Sequence, residues 1–381
     1  MDRLKLMIIV GTRPEIIRLS EVIKKCEKYF DVTLVHTGQN YDYELNGVFF
    51  QDLGLREPDH YLDAAGDDLG ATIGNIIDRS YKLMKKEQPD AVLVLGDTNS
   101  CLSVIGAKRL HIPTFHMEAG NRCFDECLPE ETNRRIVDVT CDVNMCYSEH
   151  ARRYLNASGV AKERTFVTGS PMAEVLNRHI KDIEASDILE RLNLKKGEYI
   201  LLSAHREENI DTQENFVSLF TAINAIAEKY DVPVLYSCHP RSANRIKESG
   251  FELDERVIMH KPLGFFDYNK LQMNALCVVS DSGTLPEESS YYFSIGRSIP
   301  AVAIRTSTER PEALDKGNFI LSGITEKEVL QAVDLAVKMN ENRDLGVPVP
   351  DYTDLNVSDK VVKIIQSYTG IVNRMVWRKQ Q

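Results

Sequence analysis

The sequence predicts an α/β protein built from two doubly wound parallel-sheet domains that face each other across a cleft. Its 381 residues exceed what one hydrophobic core usually organises, so two domains of ordinary size are expected. Short β-branched runs alternate with amphipathic segments of helical length, and this pattern restarts near residue 170. Strands that are apolar on both faces and separated by helices are typical of buried parallel sheets.

The first domain, residues 1–170, is predicted to contain six strands. They lie at residues 6–10, 32–36, 91–95, 114–117, 143–147 and 165–167. Between the first two strands, apolar residues recur at helical spacing, at Ile16, Leu19, Val22 and Ile23. Each strand is therefore expected to be followed by a helix that covers one face of the sheet.

The second domain, residues 171–358, opens with a polar segment that predicts a helix over 174–191. A second set of strands follows, at residues 199–203, 234–237, 257–260, 275–280, 301–304 and 319–321. A proline-rich stretch at 347–350 then precedes a final amphipathic helix, predicted over 359–371.

The charge balance limits the partners that the protein is expected to bind. Lys+Arg 46 against Asp+Glu 57 gives a net charge of −11 and a pI near 5.4. An acidic surface repels phosphate backbones and anionic lipid headgroups, so neither nucleic acid nor membrane is an expected partner. The first apolar run is too short for a signal peptide, and no run approaches the ~20 apolar residues of a membrane span. A cytoplasmic protein is therefore expected.

The cysteines are scattered and lack the spacing of a zinc site. They are Cys26, Cys101, Cys123, Cys127, Cys141, Cys146, Cys238 and Cys277. Several lie inside apolar runs, which indicates reduced and partly buried thiols. We expect no metal and no cofactor.

Ligands of an open parallel sheet bind beyond the carboxyl ends of its strands, so chemistry is expected in the residues that follow each strand. In the first domain these include three carboxylates, which singly would suit a helix cap or a salt bridge. Crowded together, carboxylates provide both a proton donor and a proton acceptor near neutral pH. The carboxylates are Asp97, Glu118 and Glu130, and the basic residues that accompany them are Arg13, Arg18, Arg122 and Arg134.

The second domain places a complementary set of residues after its strands. His205 suits a general acid or base, or a donor to phosphate. Hydroxyls and amides ahead of a helix suit a diphosphate, and a carboxylate one turn into that helix suits a ribose or sugar hydroxyl. The candidate ligand-binding residues are His239, Arg241, Ser282, Gly283, Thr284, Glu288 and Arg310. The helix starts and arginines of both domains suit a nucleoside diphosphate, and the acid/base groups of the first domain suit a sugar.

Seven motifs in order carry a family likeness that spans residues 5–370. They are GTRPE (11–15), GDT (96–98), EAG (118–120), PEE-x-NR (129–134), HREEN (205–209), DSG…EE (281–288) and TERPE (308–312). The chain resembles the non-hydrolysing UDP-N-acetylhexosamine 2-epimerases, which share the GT-B fold of two Rossmann-like domains. The resemblance implies a homodimer, and a C-terminal helix (residues 359–381) that packs back onto the first domain.

The resemblance also implies a reaction in two stages. UDP leaves by elimination to give an enzyme-bound glycal, and it adds back after C2 is reprotonated on the other face. Asp97, Glu118 and Glu130 fall at the family's acid/base positions, and His205 falls beside the leaving phosphate. The nucleotide-binding positions fall on Arg13, Arg134, Ser282, Gly283, Glu288 and Arg310.

Departures from the UDP-GlcNAc enzymes indicate a branch of this family. Those enzymes usually have Lys at position 18, a second Gly at position 284, and a Gln-His-Arg segment associated with allosteric binding where this chain has residues 38–45. The segments HTGQNYDYEL, LGDTNSC, HMEAGNRCFD and IRTSTERPE are similar to capsule and O-antigen enzymes that act on UDP-2-acetamido-2,6-dideoxy-L-talose and make UDP-N-acetyl-L-fucosamine. An apolar residue near Cys123 and Phe124 would suit the methyl group of a 6-deoxy sugar. The stretch 291–297 is longer than is usual in that branch.

Three other functions stay open on the sequence. The same chemistry on UDP-GlcNAc would give UDP-ManNAc. A GT-B glycosyltransferase would need an acceptor site, and often a membrane-binding face that the acidic charge does not supply. A catalytically inactive nucleotide-sugar sensor is disfavoured by the intact set Asp97, Glu118, Glu130 and His205.

Overall fold

A computed structural model describes residues 2–38, 50–210 and 212–379, with the side chains of Glu207, Glu208 and Arg241 outside the described part. The chain forms two compact units. The first consists of Met1–Val175 together with Asp354–Gln381, and the second of Leu176–Thr353. Each unit is an α/β layer structure around one parallel sheet, as the sequence predicts.

The first sheet has seven strands in the order β3-β2-β1-β4-β5-β6-β7, all parallel. The strands are β1 (Lys5–Val10), β2 (Asp31–His36), β3 (His60–Tyr61), β4 (Ala91–Leu95), β5 (Thr114–Met117), β6 (Val143–Cys146) and β7 (Thr165–Val167). The six predicted strands are confirmed, and β3 is an additional edge strand of two residues. Strand order reverses between β1 and β4, which is the topological switch point where ligands of such sheets bind.

The helices of this unit follow its strands. They are α1 (Arg13–Tyr29), α2 (Leu69–Glu87), α3 (Val104–Arg109), α4 (Pro129–Thr140) and α5 (Glu149–Ala157). Helix α6 (Met172–Ala185) begins in this unit and continues into the second. Their starts carry the expected signals: Pro14 lies in the first turn of α1, and the Asp68 side chain accepts a hydrogen bond from the Ala71 N–H (2.7 Å) to cap α2. The core is apolar, and every residue of β4 is buried.

The second sheet has six parallel strands in the order β10-β9-β8-β11-β12-β13. The strands are β8 (Ile200–Ser203), β9 (Val234–Ser237), β10 (Val257–His260), β11 (Cys277–Ser280), β12 (Ala301–Ala303) and β13 (Ile320–Leu321). All six predicted strands are present, and their ends agree with the prediction to within two residues. The switch point lies between β8 and β11.

The helices of this unit are shorter on average. They are α7 (Ile188–Arg191), α8 (Glu207–Ile210), α9 (Gln213–Tyr230), α10 (Pro240–Ser249), α11 (Phe265–Gln272), α12 (Leu285–Ser294), α13 (Pro311–Asp315) and α14 (Glu326–Asn342). The prediction of a single helix over 174–191 is wrong, because residues 186 and 187 interrupt it and separate α6 from α7. There the Ser186 hydroxyl donates to Asp267 (2.6 Å) and accepts from the Ile188 N–H (3.3 Å), which offers the backbone an alternative to the helix.

The last helix, α15 (Val357–Met375), belongs to the first unit and extends the helix predicted over 359–371 at both ends. It packs on α1 through a buried stripe that repeats every three or four residues. The stripe consists of Val357, Val361, Ile365, Thr369 and Val372. Glu174 joins its start to α6 by accepting hydrogen bonds from the Ser358 N–H (2.8 Å) and hydroxyl (2.5 Å).

Candidate active site

The switch point of the first sheet is bridged by a buried carboxylate, Glu15 of α1. It accepts hydrogen bonds from the Gly11 N–H (3.1 Å) and the Thr12 hydroxyl (2.8 Å) on its own side. From the turn after β4 it accepts the hydroxyls of Thr98 (3.0 Å) and Ser100 (2.5 Å). Burial raises the pKa of this carboxyl group, and the four donors oppose that change. Glu15 thus fixes the turn after β1 against the turn that carries Asp97.

Glu118 stands at the end of β5 in a strained backbone conformation. Its φ of +64° lies in the left-handed region, which residues other than glycine rarely adopt, and its side chain is 5% exposed. The carboxylate forms an ion pair with Arg18 and accepts a hydrogen bond from Asn121 Nδ2 (3.2 Å). Gly96 makes room for it, because a Cβ at Gly96 would lie 3.1 Å from Glu118 Oε2. Strain of this kind is typical of functional sites.

Asp97 lies after β4 and is held by an arginine of α4. Arg134 donates to Asp97 Oδ2 from Nε (2.9 Å) and Nη2 (2.6 Å). The same guanidinium donates to Glu131 Oε2 (3.1 Å) and contacts Cys123 Sγ (3.5 Å). Asn133 donates to the Asp97 carbonyl (2.9 Å), so α4 fixes both the backbone and the side chain of Asp97.

Arg13 and Glu130 lie in the first turns of α1 and α4, where those helices begin beyond the strands. Both are partly exposed. Arg13, Arg18, Asp97, Glu118, Glu130 and Arg134 therefore all occupy the carboxyl edge of the first sheet.

Arg122 was predicted to bind substrate, and the structure places it in a buried ion pair. Its Nη2 lies 2.7 Å from Asp138 Oδ2, and its Nη1 donates to the Asn121 carbonyl (2.7 Å). Asp138 also accepts from the Gly120 N–H (3.1 Å), and its Oδ1 lies 3.0 Å from His116 Nδ1. This cluster supports the turn that carries Glu118.

At the switch point of the second sheet, Asp281 is fully buried and bridges β11 to the residues after β8. Its Oδ2 accepts from the backbone N–H groups of His205 (2.9 Å) and Arg206 (2.9 Å) and from Asn209 Nδ2 (3.2 Å). Its Oδ1 lies 3.2 Å from His205 Nδ1, and the His205 side chain is 48% exposed. His205 thus stands at the carboxyl edge with one ring nitrogen against a carboxylate.

The predicted diphosphate turn lies beside this pair. The hydroxyls of Ser282 and Thr284 are 2.9 Å apart, and Gly283 separates them. The Thr284 hydroxyl donates to Glu288 Oε1 (2.7 Å), and Gln272 Nε2 donates to Glu288 Oε2 (2.6 Å). Glu288 is therefore oriented by both neighbours at the start of α12.

Arg310 is buried against Glu287, to which it donates from Nε (3.0 Å) and Nη2 (2.7 Å). Next to it, Glu309 has two cationic neighbours that the sequence did not single out. Arg305 Nη1 lies 2.7 Å and Arg206 Nη2 lies 3.5 Å from the Glu309 carboxylate oxygens. That carboxylate packs on Gly283, where a Cβ would lie 2.6 Å from Glu309 Oε1.

Two further candidates follow β9. His239 is exposed at the start of α10, and the side chain of Arg241 lies outside the described residues. Residues 39–45 of the segment compared with the allosteric motif also lie outside them. The stretch 291–297, which the sequence singled out by its length, begins inside α12, which ends at Ser294, and Tyr291 and Tyr292 are buried.

Sequence reasoning missed the supporting residues Glu15, Asp138, Asp281, Arg305 and Glu309 as participants. Glu15, Asp281 and Glu309 lie inside motifs that the sequence contains, which was the available signal. Arg305 lies inside the quoted segment IRTSTERPE, and Asp138 lies in no quoted motif.

No group of three metal-ligating side chains occurs within the described residues. All eight cysteines are free thiols, and six are buried. Across residues 2–38, 50–210 and 212–379, no helix has the length and apolar character needed to cross a membrane.

Comparison with known proteins gives concordant results. The family model described as UDP-N-acetylglucosamine 2-epimerase matches residues 24–366. The UDP-N-acetylglucosamine 2-epimerase of Methanococcus maripaludis is 33% identical over 349 residues, which is 89% of this chain and 93% of that protein.

Solved structures agree with this assignment. The structure of UDP-N-acetylglucosamine 2-epimerase from Rickettsia bellii superposes with a TM-score of 0.91 at 46% identity, and covers 99% of this chain and 100% of that one. The Methanocaldococcus jannaschii enzyme in complex with UDP-GlcNAc and UDP gives a TM-score of 0.87 at 31% identity, with 96% and 100% covered. The chain therefore belongs to the UDP-N-acetylglucosamine 2-epimerase family and is an isomerase of UDP-linked N-acetylamino sugars.

Proposed function

We propose that this enzyme inverts C2 of UDP-2-acetamido-2,6-dideoxy-L-talose and thereby forms UDP-N-acetyl-L-fucosamine. In the elimination stage a base removes the C2 proton, the C1–O bond breaks with its electron pair leaving on the diphosphate, and a C1–C2 double bond forms. In the second stage an acid returns a proton to C2 from the opposite face and UDP adds back to C1. The reaction thus needs two proton-transfer groups and stabilisation of the departing diphosphate.

In the first unit, we assign the proton transfers to the set Asp97, Glu118 and Glu130. Asp97 and Glu118 each have an arginine partner, Arg134 and Arg18, which holds the carboxylate at the carboxyl edge of its sheet. The strained backbone of Glu118 supports this assignment, because strain persists where the surrounding structure fixes a functional geometry.

In the second unit, we assign the diphosphate to the turn of Ser282, Gly283 and Thr284 and to His205. Hydroxyls and backbone amides ahead of α12 suit an anion. Glu288 is oriented by Gln272 and Thr284, and we assign it to a ribose or sugar hydroxyl.

The observation that carries the choice of sugar is Phe124. Its side chain is 63% exposed, its φ is +58°, and its ring packs edge-to-face on Tyr154 with centroids 5.3 Å apart. The neighbouring Cys123 contacts Arg134, which holds Asp97. An exposed aromatic ring one residue from this network supports a contact with an apolar group of the substrate, such as the C6 methyl of a 6-deoxy sugar.

A second substrate, UDP-GlcNAc, is favoured by a different observation. The Rickettsia bellii and Methanocaldococcus jannaschii relatives bear the name UDP-GlcNAc 2-epimerase, and the latter was solved with UDP-GlcNAc bound. An apolar pocket rejects an added hydroxyl by only ~10²-fold, so some turnover of UDP-GlcNAc is expected in either case.

Incubation of the purified enzyme with each nucleotide sugar in D2O decides between the two. The true substrate incorporates deuterium at C2 and inverts with the higher kcat/KM. Phe124→Ala should lower kcat/KM for the 6-deoxy substrate more than for UDP-GlcNAc. Efficient inversion of UDP-GlcNAc without inversion of the L-talo sugar would refute the first assignment.

A further inference from the structure

Asp281, which accepts from the His205 N–H, lies in the turn after a different strand, 76 residues away in sequence. Asp281 follows β11, and its own N–H donates to the Ser203 carbonyl at the end of β8 (3.0 Å). Its carboxylate returns to the β8 side and accepts the N–H groups of His205 and Arg206 at 2.9 Å each. The backbone on both sides of the His205 side chain is therefore tied to one buried group.

The same carboxylate also faces the imidazole. With Oδ2 occupied by the two amides and by Asn209, Oδ1 is left for the ring, and it lies 3.2 Å from His205 Nδ1. The pair lies outside hydrogen-bond geometry, and Oδ1 is buried without a donor among the described residues. A small rotation of the half-exposed ring would aim Nδ1 at this acceptor, and a carboxylate oxygen favours the ring form with hydrogen on Nδ1. The unfilled Oδ1 therefore favours hydrogen on Nδ1, which leaves Nε2 for a ligand.

The other charged groups around this turn come from three neighbouring elements. Arg206 follows His205 and donates from Nε to the Asp281 carbonyl (2.9 Å). Arg206 in turn approaches Glu309, which is paired with Arg305 after β12. His239 follows β9, the other neighbour of β8 in the sheet. Asp281 contacts the His205 ring, with Oδ1 3.2 Å from Nδ1.

We propose that Asp281 is a positioning residue, which fixes the imidazole of His205 in the Nδ1–H form so that Nε2 faces the diphosphate of the substrate. This inference rests on the proposed function. With Nδ1–H on the carboxylate, Nε2 accepts a proton when the ring is neutral and donates a hydrogen bond to the departing diphosphate oxygen when the ring is cationic. The cationic ring is compatible with this arrangement, because its Nδ1–H meets Asp281 and its Nε2–H meets the diphosphate.

Asp281→Asn tests the inference with little change in shape. The two backbone amides require an acceptor, so the Asn oxygen takes the Oδ2 position and its NH2 group takes the Oδ1 position opposite Nδ1. A donor there reverses the tautomer to Nε2–H. We expect kcat to fall by about 10²- to 10⁴-fold, with KM changed less than about 3-fold, as when the orienting carboxylate of a catalytic histidine is removed.

The decisive readout is the tautomer itself, measured by ¹⁵N NMR of histidine side chains with His205 assigned from the spectrum of His205→Gln. Wild-type protein should show Nδ1–H, and Asp281→Asn should show Nε2–H. Asp254→Asn is the matched control, since Asp254 also accepts from a backbone N–H (2.9 Å) in the second unit but contacts Arg256 instead of a histidine. It should change neither the tautomer nor kcat.

Two results would overturn the inference. One is an Nε2–H tautomer in the wild-type protein, which needs no variant to fold. The other is a folded Asp281→Asn protein that loses activity with the His205 tautomer unchanged. The NMR measurement uses no sugar, so it still tests the role of Asp281 if the proposed substrate is wrong. If the wild-type enzyme exchanges the C2 proton but Asp281→Asn leaves the tautomer unchanged, the proposed function stands and the role of Asp281 is refuted.

Discussion

Arg18 and Glu118 form an ion pair that joins the first turns of α1 to the end of β5, 100 residues further along the chain. The pair crosses the switch point of the first sheet, since β1 and β5 flank β4. It gives the carboxylate of Glu118, whose backbone is strained, a cationic partner at the carboxyl edge.

Glu118→Gln should remove C2 exchange while leaving UDP binding largely unchanged. Gln preserves the size of the side chain and can still accept from Asn121, but it cannot exchange a proton with C2. We expect deuterium incorporation to fall by on the order of 10³-fold, as followed by NMR, with UDP affinity measured by calorimetry within about 3-fold. Glu149→Gln, which removes a surface ion pair with Arg152, should behave as wild type. Wild-type exchange in Glu118→Gln would exclude Glu118 from proton transfer.

Asp97→Asn should also remove C2 exchange, and it should do so without disturbing the fold. Asp97 Oδ2 accepts two hydrogen bonds from Arg134, and an Asn oxygen can retain them. The fold is therefore expected to survive, with a melting temperature close to that of wild type, while C2 exchange is lost. Loss of UDP affinity together with exchange would instead assign Asp97 to nucleotide binding.

Gly96→Ala tests the space that the Glu118 carboxylate occupies. Gly96 has a φ of +85°, and an added Cβ would lie 3.1 Å from Glu118 Oε2. We expect a loss of about 1–2 kcal/mol in the free energy of unfolding and a lower kcat with UDP affinity retained. Gly74→Ala is the control, because Gly74 lies within α2 with no atom within 4 Å of its added Cβ, and Ala there should stabilise the helix. An unchanged kcat in Gly96→Ala would show that Glu118 can shift without consequence.

Gly283→Ala tests the turn assigned to the diphosphate. The backbone tolerates Ala there, but the added Cβ would lie 2.6 Å from Glu309 Oε1 and must displace that carboxylate from the turn. We expect UDP affinity to fall about 10-fold, or ~1.4 kcal/mol, in a calorimetric titration. Gly370→Ala in α15, where an added Cβ meets open space, should leave UDP affinity unchanged. Equal affinities in the two variants would place the diphosphate elsewhere.

His36 makes the stability of the fold depend on pH on the acid side. Burial lowers the pKa of its imidazole to about 4, whereas the unfolded chain titrates at the ordinary value of about 6.5. The unfolded state therefore binds the proton first, so stability present above pH 6.5 is lost as the pH falls toward 4. Between pH 7.5 and pH 5 this group should cost about 2 kcal/mol.

Urea unfolding at the two pH values measures this loss. His36→Asn can still accept from the Gly38 N–H, as His36 Nδ1 does (3.0 Å), but it does not titrate. The variant should lose about 2 kcal/mol less than wild type between pH 7.5 and pH 5. The same loss in both proteins would mean that His36 is not responsible.

The predicted strands were accurate because each is a short apolar run bounded by a polar turn, which is a local property. The helix predicted over 174–191 was wrong because Ser186 finds a partner, Asp267, that no local pattern contains. The two-residue strand β3 was missed for the same reason. It is a strand because it pairs with β2, and its own sequence carries no strand pattern.

By itself, the sequence determined which residues stand at the carboxyl edges, because the strand ends locate Asp97, Glu118, His205 and the turn at Gly283. Only the tertiary structure decided what each side chain contacts. Arg122 and Arg310 carry the same charge as Arg18, yet they are buried against Asp138 and Glu287. Glu15 and Asp281 became bridges across switch points. The physical reason is that a charged side chain pairs with whatever group lies near it in space. The distances between elements remote in sequence are set by tertiary packing and do not appear in any local sequence pattern.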